Sequence, residues 1–213
     1  MRPTLDRGFA REIRYDVPLT DGFEHRFLRN VAPNPRVAFS GLINPEVVPL
    51  VAAGRFDALI VHGYASASTL LALLTPRFAG RTRVLLRGES HLLEPRPATR
   101  RAVKQVLLRP LFARIDHFLA IGTRNREYYR AYGVSDERIT IAPYAVDNTF
   151  FTEASRPGRE QRAQVRSSFG LAEGVPVFVF CAKFIPVKRP LDVIRAFAAA
   201  SRRGDNALVV VGE

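Results

Sequence analysis

The chain has 213 residues, and its apolar content of 47% is enough for one sizeable hydrophobic core or two modest ones. A net charge of +12 indicates an anionic partner, such as nucleic acid, an acidic membrane face or a phosphorylated small molecule. The single cysteine excludes an internal disulfide, and no apolar run approaches the ~20 residues of a membrane span.

Apolar runs of strand length alternate with amphipathic segments along most of the chain. Asn44 before Pro45 predicts a helix start, with Gly54 as its stop. The order is then strand 56–63, helix 66–78, strand 82–90, helix 97–115, strand 116–122, helix 123–133 and strand 138–146. Pro110 predicts an interruption or kink, Thr123 an N-cap and Gly133 a helix end. Such alternation predicts an α/β fold with a Rossmann-like, doubly wound parallel sheet.

The segment 147–174 is polar and contains a Pro-Gly break, which predicts a domain boundary. We expect one domain over residues 1–150 and a second over 151–213. The second domain contains a strand at 175–184, a helix at 189–203 and a strand at 206–213. Because one strand–helix–strand unit cannot bury both faces of its sheet, the second domain is expected to be truncated, unless its strands join the sheet of the first domain. Cys181, in its first strand, is expected to be a small buried hydrophobe.

Polar residues follow three of the predicted parallel strands, and ligands bind at the carboxyl ends of such strands. They are His62-Gly63, Arg87-Gly88-Glu89-Ser90 and Ile121-Gly122-Thr123. His62 either contacts a ligand or is satisfied by loop backbone, and Glu89 either acts on a ligand or pairs with Arg87. The remaining histidines show no metal-ligand spacing, so no metal site is expected.

Lys183 and Lys188 lie between the strand and the helix of the second domain. Two cations at a helix start form a phosphate site, or they are ordinary solvated loop charges. The stretch "VFCAKFIPVKRPLDVIRAFA" resembles the start of the donor-binding domain in glycosyltransferase family 4, retaining enzymes of the two-lobed GT-B fold. In this resemblance Lys183 takes the family's arginine position and Lys188 its lysine position, both of which hold the donor diphosphate. Ala182 and Arg189 replace glycines that are usual there.

The resemblance covers residues 36 to 213. The stretch "HFLAIGTRNREYYRAYGVSDERITIAPYAVDNTFF" is similar to the segment that joins the two lobes. Its matching positions are Pro143, Val146, Asp147 and either Phe150 or Phe151. "DALIVHG" resembles an acceptor-lobe strand, and "VLLRGES" lacks the histidine that is often found there. The first strand and glycine-rich loop of the acceptor lobe are not seen, and the family's two donor-site glutamates belong beyond Glu213. We therefore expect this chain to be the middle of a longer enzyme. Both an active and an inactive fragment are compatible with the sequence.

The resemblance implies a cytoplasmic, hexosyltransferase-type enzyme that moves a sugar from a nucleotide-diphosphate sugar to an acceptor hydroxyl, with retention and without a cofactor. Residues 1–150 then form the acceptor-side lobe, and 151–213 begin the donor lobe. Arg87 is expected to meet the leaving diphosphate, and Glu89 to accept a hydrogen bond from the acceptor hydroxyl. His62 completes the expected catalytic group. The acceptor is a saccharide, a lipid or another small molecule.

The basic run 96–114 contains no acidic residue. With its valines, leucines and phenylalanine it either lies on an anionic membrane or faces the core while its arginines stay in solvent. We expect the second arrangement, and a peripheral membrane contact is the alternative. A further alternative for the whole chain is a basic module that binds nucleic acid or an anionic surface without catalysis.

Overall fold

The computed structural model describes residues 4–6, 11–13, 20–76, 82–95, 97–156, 158–201 and 206–212. They divide into two compact units: a central unit, His25–Val146, and a terminal unit, which joins the described residues of Met1–Glu24 to those of Asp147–Glu213. In the terminal unit, β1 (Thr4–Asp6) pairs antiparallel with β2 (Arg11–Ile13). The predicted boundary after residue 150 and the roles of the two domains stay predictions.

Four parallel strands form the sheet of the central unit. They are β3 (Ala58–His62), β4 (Arg83–Gly88), β5 (His117–Ala120) and β6 (Ile139–Ile141), in that spatial order. In register, His62 lies opposite Arg87, and Gly88 lies opposite Ala120. Because the strands run in the same direction, their carboxyl ends share one edge of the sheet. Helices flank this sheet, and the predicted Rossmann-like α/β architecture is confirmed.

The helices of the central unit follow the predicted alternation. They are α1 (Val47–Ala53), α2 (Ala67–Leu74), α3 (Ala98–Phe112) and α4 (Thr123–Ala131). Gly54 follows α1 as predicted, and Gly133 follows α4 with a φ of 89°, the left-handed conformation that ends many helices. Pro110 does not interrupt α3, which continues to Phe112.

Two helices begin near their predicted starts, but their predicted N-caps are wrong. The Asn44 side chain does not cap α1, because its amide donates to the Leu28 carbonyl (3.1 Å) and its oxygen accepts from the Ser68 hydroxyl (2.8 Å). Thr123 is the first residue of α4 rather than its N-cap. The N-terminus of α2 is instead closed by a capping box, in which the Ser66 hydroxyl accepts from the Thr69 amide at 3.2 Å.

The core of the central unit combines strand side chains with aromatic rings from α3 and α4. Phe112 packs edge-to-face against Phe118, with ring centroids 5.2 Å apart, and against Tyr129 at 5.8 Å. Arg138 donates through Nη2 to the Phe112 carbonyl at 2.8 Å, and this carbonyl at the end of α3 also accepts from the Ile115 amide at 3.3 Å. The largest buried side chains are Leu73, Leu86, Phe112, Ile115, Phe118, Tyr128 and Tyr129.

The later part of the terminal unit contains α5 (Asn148–Ala154), α6 (Arg159–Ser168), β7 (Val177–Cys181), α7 (Pro190–Ala200) and β8 (Ala207–Val211). β7 and β8 are parallel neighbours, so α7 connects them in the predicted strand–helix–strand unit. Asp147 caps α5, because its Oδ1 accepts from the Phe150 amide at 2.9 Å. Among the described residues of both units, no helix is long and apolar enough to cross a bilayer.

Cys181 is exposed, so the expectation that it is buried is wrong. Two strands and one helix do not enclose the side chains of this small sheet, and Phe178 and Val179 are 56% and 64% exposed. No residue of β7, α7 or β8 is fully buried. The continuous apolar run of β7 predicts a strand correctly, but it does not predict burial where the covering layers are few.

Candidate functional site

An open cleft of about 560 Å³ lies at the carboxyl edge of the central sheet, and we call it the rim cleft. The three predicted residues His62, Arg87 and Glu89 all line it. They meet there because β3 and β4 are parallel neighbours that end at the same edge. The third predicted group, residues 121–123, follows β5 but does not line the cleft.

Arg87 fixes the loop that follows β6. Its Nη2 donates to the carbonyl oxygens of Ala142 (3.2 Å) and Pro143 (3.0 Å). Its guanidinium carbon also lies 4.5 Å from the centroid of the Tyr144 ring, a cation–π contact. The buried Nε has no acceptor among the described residues. Nη1 therefore keeps donor capacity beyond the contacts with the loop, whereas Nε is buried.

Glu89 is connected to Arg87 through Tyr144. The Tyr144 hydroxyl donates to a carboxylate oxygen of Glu89. This hydrogen bond is the main reason that the pKa of Tyr144 is raised, and the charge of Arg87 acts in the opposite direction. Glu89 itself is exposed, and its second oxygen remains an acceptor that faces solvent. No direct ion pair joins Arg87 and Glu89 in the part of the chain that the structure describes.

His62 ends β3 with an exposed side chain. Its neighbour Gly63 has a φ of 76°, and the Gly63 amide donates to the Arg87 carbonyl at 2.7 Å. The left-handed turn at Gly63 therefore prolongs the pairing of β3 with β4 by one hydrogen bond. No hydrogen bond of the His62 ring to another described residue is found, so the loop backbone does not satisfy it there.

Buried hydroxyl groups support the floor of the rim cleft. The hydroxyl groups of Tyr64 and Tyr128 are 2.5 Å apart, and the Tyr64 hydroxyl is 3.2 Å from Ser90 Oγ. Burial, followed by the hydrogen bond to Tyr64, raises the pKa of Tyr128 far above its usual value. The buried Asn125 amide donates to the Ser90 carbonyl at 2.8 Å, which fixes the loop after β4.

Lys104 reaches the rim cleft from α3. Its ammonium nitrogen lies 4.9 Å from the centroid of the Tyr128 ring and 5.9 Å from that of Tyr132. Cation–π contacts of this kind hold a positive charge beside the cleft. Lys104 and Tyr144 are among the lining residues with charged or hydroxyl groups that sequence reasoning missed. Tyr144 follows Pro143 in a recognised motif, but nothing in its spacing indicates a contact with Glu89.

The predicted diphosphate ligands lie in the terminal unit. Lys183 follows β7 and is half-buried, and Lys188 ends a short 3-10 helix and is exposed. A neighbouring apolar cavity of about 540 Å³ includes Phe184, Ile185 and Leu191 in its lining, but neither lysine. The structure places both lysines before α7 and describes no shared pocket for them.

Arg189 separates Lys188 from α7 and has an unusual backbone conformation. Its φ of 54° and ψ of 47° lie in the left-handed region, which costs a residue with a Cβ about 1–2 kcal/mol. The Arg189 side chain pairs with Asp192 in the first turn of α7. Among the described residues, no three His, Cys, Asp or Glu side chains gather as a metal site would require.

Comparison with known proteins gives two findings. A family model described as a glycosyl transferase 4-like domain matches residues 12–145, more than half of the chain. A D-inositol 3-phosphate glycosyltransferase from Nocardia farcinica (strain IFM 10152) is 36% identical over 78 residues, which are 37% of this chain and 16% of the relative. The match therefore spans about a sixth of the length of that relative.

Proposed function

Because the chain belongs to the glycosyl transferase 4-like family, we propose that it takes part in sugar transfer from a nucleotide-diphosphate sugar to an acceptor hydroxyl, with retention and without a metal or other cofactor. The sugar is of the hexosyl type, and the acceptor binds in the rim cleft. The observation that carries this proposal is the connected group Arg87–Tyr144–Glu89 at the carboxyl edge of the sheet. This group lies inside the range that the family model matches.

The rim cleft offers the groups that an acceptor hydroxyl needs. One oxygen of Glu89 accepts from Tyr144, and the other is open to accept from the acceptor. Because Arg87 fixes Tyr144, the Glu89 carboxylate is held in place before the acceptor arrives, which lowers the entropic cost of positioning. The exposed His62 ring supplies a second contact for an acceptor hydroxyl.

In the proposed transfer, the acceptor oxygen forms a bond to the anomeric carbon as the bond from that carbon to the diphosphate oxygen breaks. The acceptor proton goes to the departing phosphate oxygen. Positive charge that stabilises the leaving diphosphate is then the main electrostatic contribution of the protein. We assign this charge to Lys183 and Lys188 of the terminal unit, and the expectation that Arg87 meets the leaving diphosphate stays a prediction.

A transfer assay tests the acceptor site. The full chain is incubated with UDP-, GDP- and ADP-sugars and with D-inositol 3-phosphate, the compound in the relative's name, and nucleoside diphosphate release is measured. We expect Glu89→Gln to lower acceptor-dependent release at least tenfold and Tyr144→Phe to lower it less, because the carboxylate charge remains. Glu46→Gln, at an exposed site of the same unit, is the control. Unchanged release in Glu89→Gln would refute the assignment of Glu89.

Calorimetry tests the donor site. The Lys183→Ala/Lys188→Ala variant is expected to bind the nucleotide-sugar at least tenfold more weakly, because two charges that face the diphosphate are removed. Arg156→Ala removes an exposed charge of the same unit and is the control. Equal affinity in the lysine variant and the control would refute the assignment of the lysines, and it would leave the acceptor site unaffected.

A further inference from the structure

Helix α3 has apolar residues on two opposite faces. Leu108 and Phe112 point into the core and are 6% and 1% exposed. Val103, Val106 and Leu107 are 59%, 73% and 64% exposed. With about 100° of rotation per residue, the spacing i, i+3, i+4 places these three side chains on one stripe, roughly opposite the stripe of Leu108 and Phe112. We call this stripe the outer face of α3.

This arrangement bears out one part of the expectation for the basic run and corrects the other. Leu108 and Phe112 face the core and the described arginines are exposed, as expected, but the apolar side chains of the outer face are not buried. Val106 and Leu107 are more exposed than most large apolar side chains of the central unit. The outer face is therefore a contiguous apolar stripe on a helix whose remaining surface is mainly polar. Exposed apolar patches that polar residues surround mark interaction sites.

Positive charge flanks the outer face. Arg100 and Arg109 lie on α3 at either side of the stripe by helical rotation, and both are exposed. Arg114, just after the helix, adds further charge and folds back so that its Nη1 donates to the Pro110 carbonyl at 2.7 Å. Arg101 is exposed but lies seven residues before Leu108, on the side of α3 opposite the outer face. No salt bridge from these arginines to a carboxylate is found within the described ranges. Arg96, the first residue of the run, lies outside the described residues.

We propose that the outer face of α3 docks on the surface of an anionic lipid bilayer. An apolar stripe flanked by a cation on each side is the pattern of a helix that lies in the membrane interface, with its apolar side chains among the acyl chains and its cations at the headgroups. The charge of this segment is entirely positive, because residues 97–115 contain no carboxylate that an anionic surface would repel. A nucleic acid fits less well, since the outer face has no aromatic ring on which a base could stack.

The docking also has a geometric consequence for the rim cleft. Lys104 extends from the same helix into the cleft lining. A bilayer at the outer face would therefore lie within one helix diameter of the cleft, about 10 Å. The docking itself does not rest on sugar transfer. If both proposals hold, the hydroxyl of an acceptor could reach Glu89 while the acyl chains of the acceptor stay in the bilayer.

Vesicle flotation tests the docking. The full chain is mixed with vesicles of phosphatidylcholine alone, or of phosphatidylcholine with phosphatidylglycerol, at low and high salt. We expect binding to the phosphatidylglycerol vesicles that weakens with salt, and little binding to neutral ones. Val106→Gln/Leu107→Gln should lower the partition coefficient at least tenfold, because both apolar side chains leave the acyl region. Arg100→Gln/Arg109→Gln should lower it roughly fivefold for each charge removed.

Val37→Gln is the matched control, because Val37 is a fully exposed valine of the same unit that lies outside α3. Its partition coefficient should equal that of the wild type. Sedimentation velocity without lipid provides the second measurement. No flotation with phosphatidylglycerol, equal flotation with neutral vesicles, or a dimer that Val106→Gln/Leu107→Gln dissociates would each overturn the proposal; the last would assign the outer face to a second copy of the chain.

Discussion

Arg189 has a left-handed backbone at a position where most side chains are unfavourable. Its φ of 54° means that a Cβ crowds the neighbouring carbonyl, whereas glycine adopts this conformation freely. We therefore expect Arg189→Gly to be about 1 kcal/mol more stable than Arg189→Ala in urea unfolding. Both variants lose the exposed ion pair with Asp192, so their difference reports the backbone alone.

The comparison of the two Arg189 variants also explains a sequence feature. The resemblance places a glycine at this position, and the left-handed turn before α7 gives the physical reason for that preference. Equal stability of Arg189→Gly and Arg189→Ala would mean that the turn relaxes at no cost, and the explanation from backbone strain would fail.

Tyr129 should make the stability of the central unit sensitive to alkaline pH. Its side chain is fully buried, and this burial raises the pKa of Tyr129 to about 12. The unfolded phenol, with a pKa near 10, loses its proton first, so the stability contribution present below pH 10 is lost as the pH rises toward 12. We expect a loss of about 1.4 kcal/mol per pH unit in this range.

Tyr129→Phe isolates this effect. Urea unfolding of both proteins between pH 9 and 12 should show a shallower decrease for the variant, because lysines and other tyrosines titrate equally in the two chains. Phenylalanine keeps the ring contact with Phe118, so the fold should be retained. Parallel curves for the two proteins would show that the Tyr129 hydroxyl ionises as readily in the folded chain as in the unfolded one.

At the scale of elements, β4 and α4 approach each other closely at Gly88. A Cβ added to Gly88 would lie 2.9 Å from the Tyr129 hydroxyl oxygen, closer than the two atoms can pack. We expect Gly88→Ala to lower the free energy of unfolding by about 1–3 kcal/mol, the usual cost of overpacking. In the Tyr129→Phe background the same change should cost less than ~1 kcal/mol, because the clashing oxygen is gone.

Chemical denaturation of the four proteins of this double-mutant cycle gives the coupling energy directly. Gly122→Ala is the matched control: Gly122 has an extended φ of 175° and no atom within 4 Å of a Cβ, so alanine causes no clash there. Any cost of Gly122→Ala comes from weaker N-capping of α4, and it should be the same in the Tyr129→Phe background. Additive effects of Gly88→Ala and Tyr129→Phe would show that Gly88 is required for another reason than its contact with α4.

The elements of the central sheet could be predicted from sequence because parallel strands carry near-continuous apolar runs. Each apolar run predicted a strand that the structure contains, although the predicted bounds are longer than the observed ones. Because the strands run in the same direction, His62 and Arg87 lie side by side. The helix starts were less predictable. Asn44 has the residue type of an N-cap, but its hydrogen bonds go to Leu28 and Ser68, which are distant in sequence.

The contacts that organise the rim cleft depend on such distant partners. Arg87 and Tyr144 are more than fifty positions apart, and only the return of the chain through β5 and β6 brings them together. The spacing of Arg87 and Tyr144 along the sequence does not indicate this contact. The outer face of α3 shows a related limit, since helical periodicity identifies an apolar stripe but does not say which of two stripes is covered.

At the scale of the whole molecule, the two units differ in how much they bury. Every fully buried residue of the described chain, from Ala32 to Val134, belongs to the central unit. In the terminal unit, Phe178, Leu191 and Val210 remain partly or largely exposed. Since burial of apolar surface is the dominant stabilising contribution, the free energy that opposes local opening should be much smaller in the terminal unit.

Native-state hydrogen exchange should reveal this difference. Amides of β4 and β5 are expected to exchange only through global unfolding of the central unit, whereas those of β7 and β8 should be protected at least 100-fold less. Leu86→Ala removes a fully buried side chain of β4 and should lower the protection of β4 and β5 by about 2–5 kcal/mol, while β7 and β8 keep their rates. Equal protection in all four strands, or a parallel loss in β7 and β8, would show that the two units unfold together. Separate responses would mean that the residues around Lys183 open independently of the rim cleft, so that a bound donor diphosphate would have to supply the free energy that orders them.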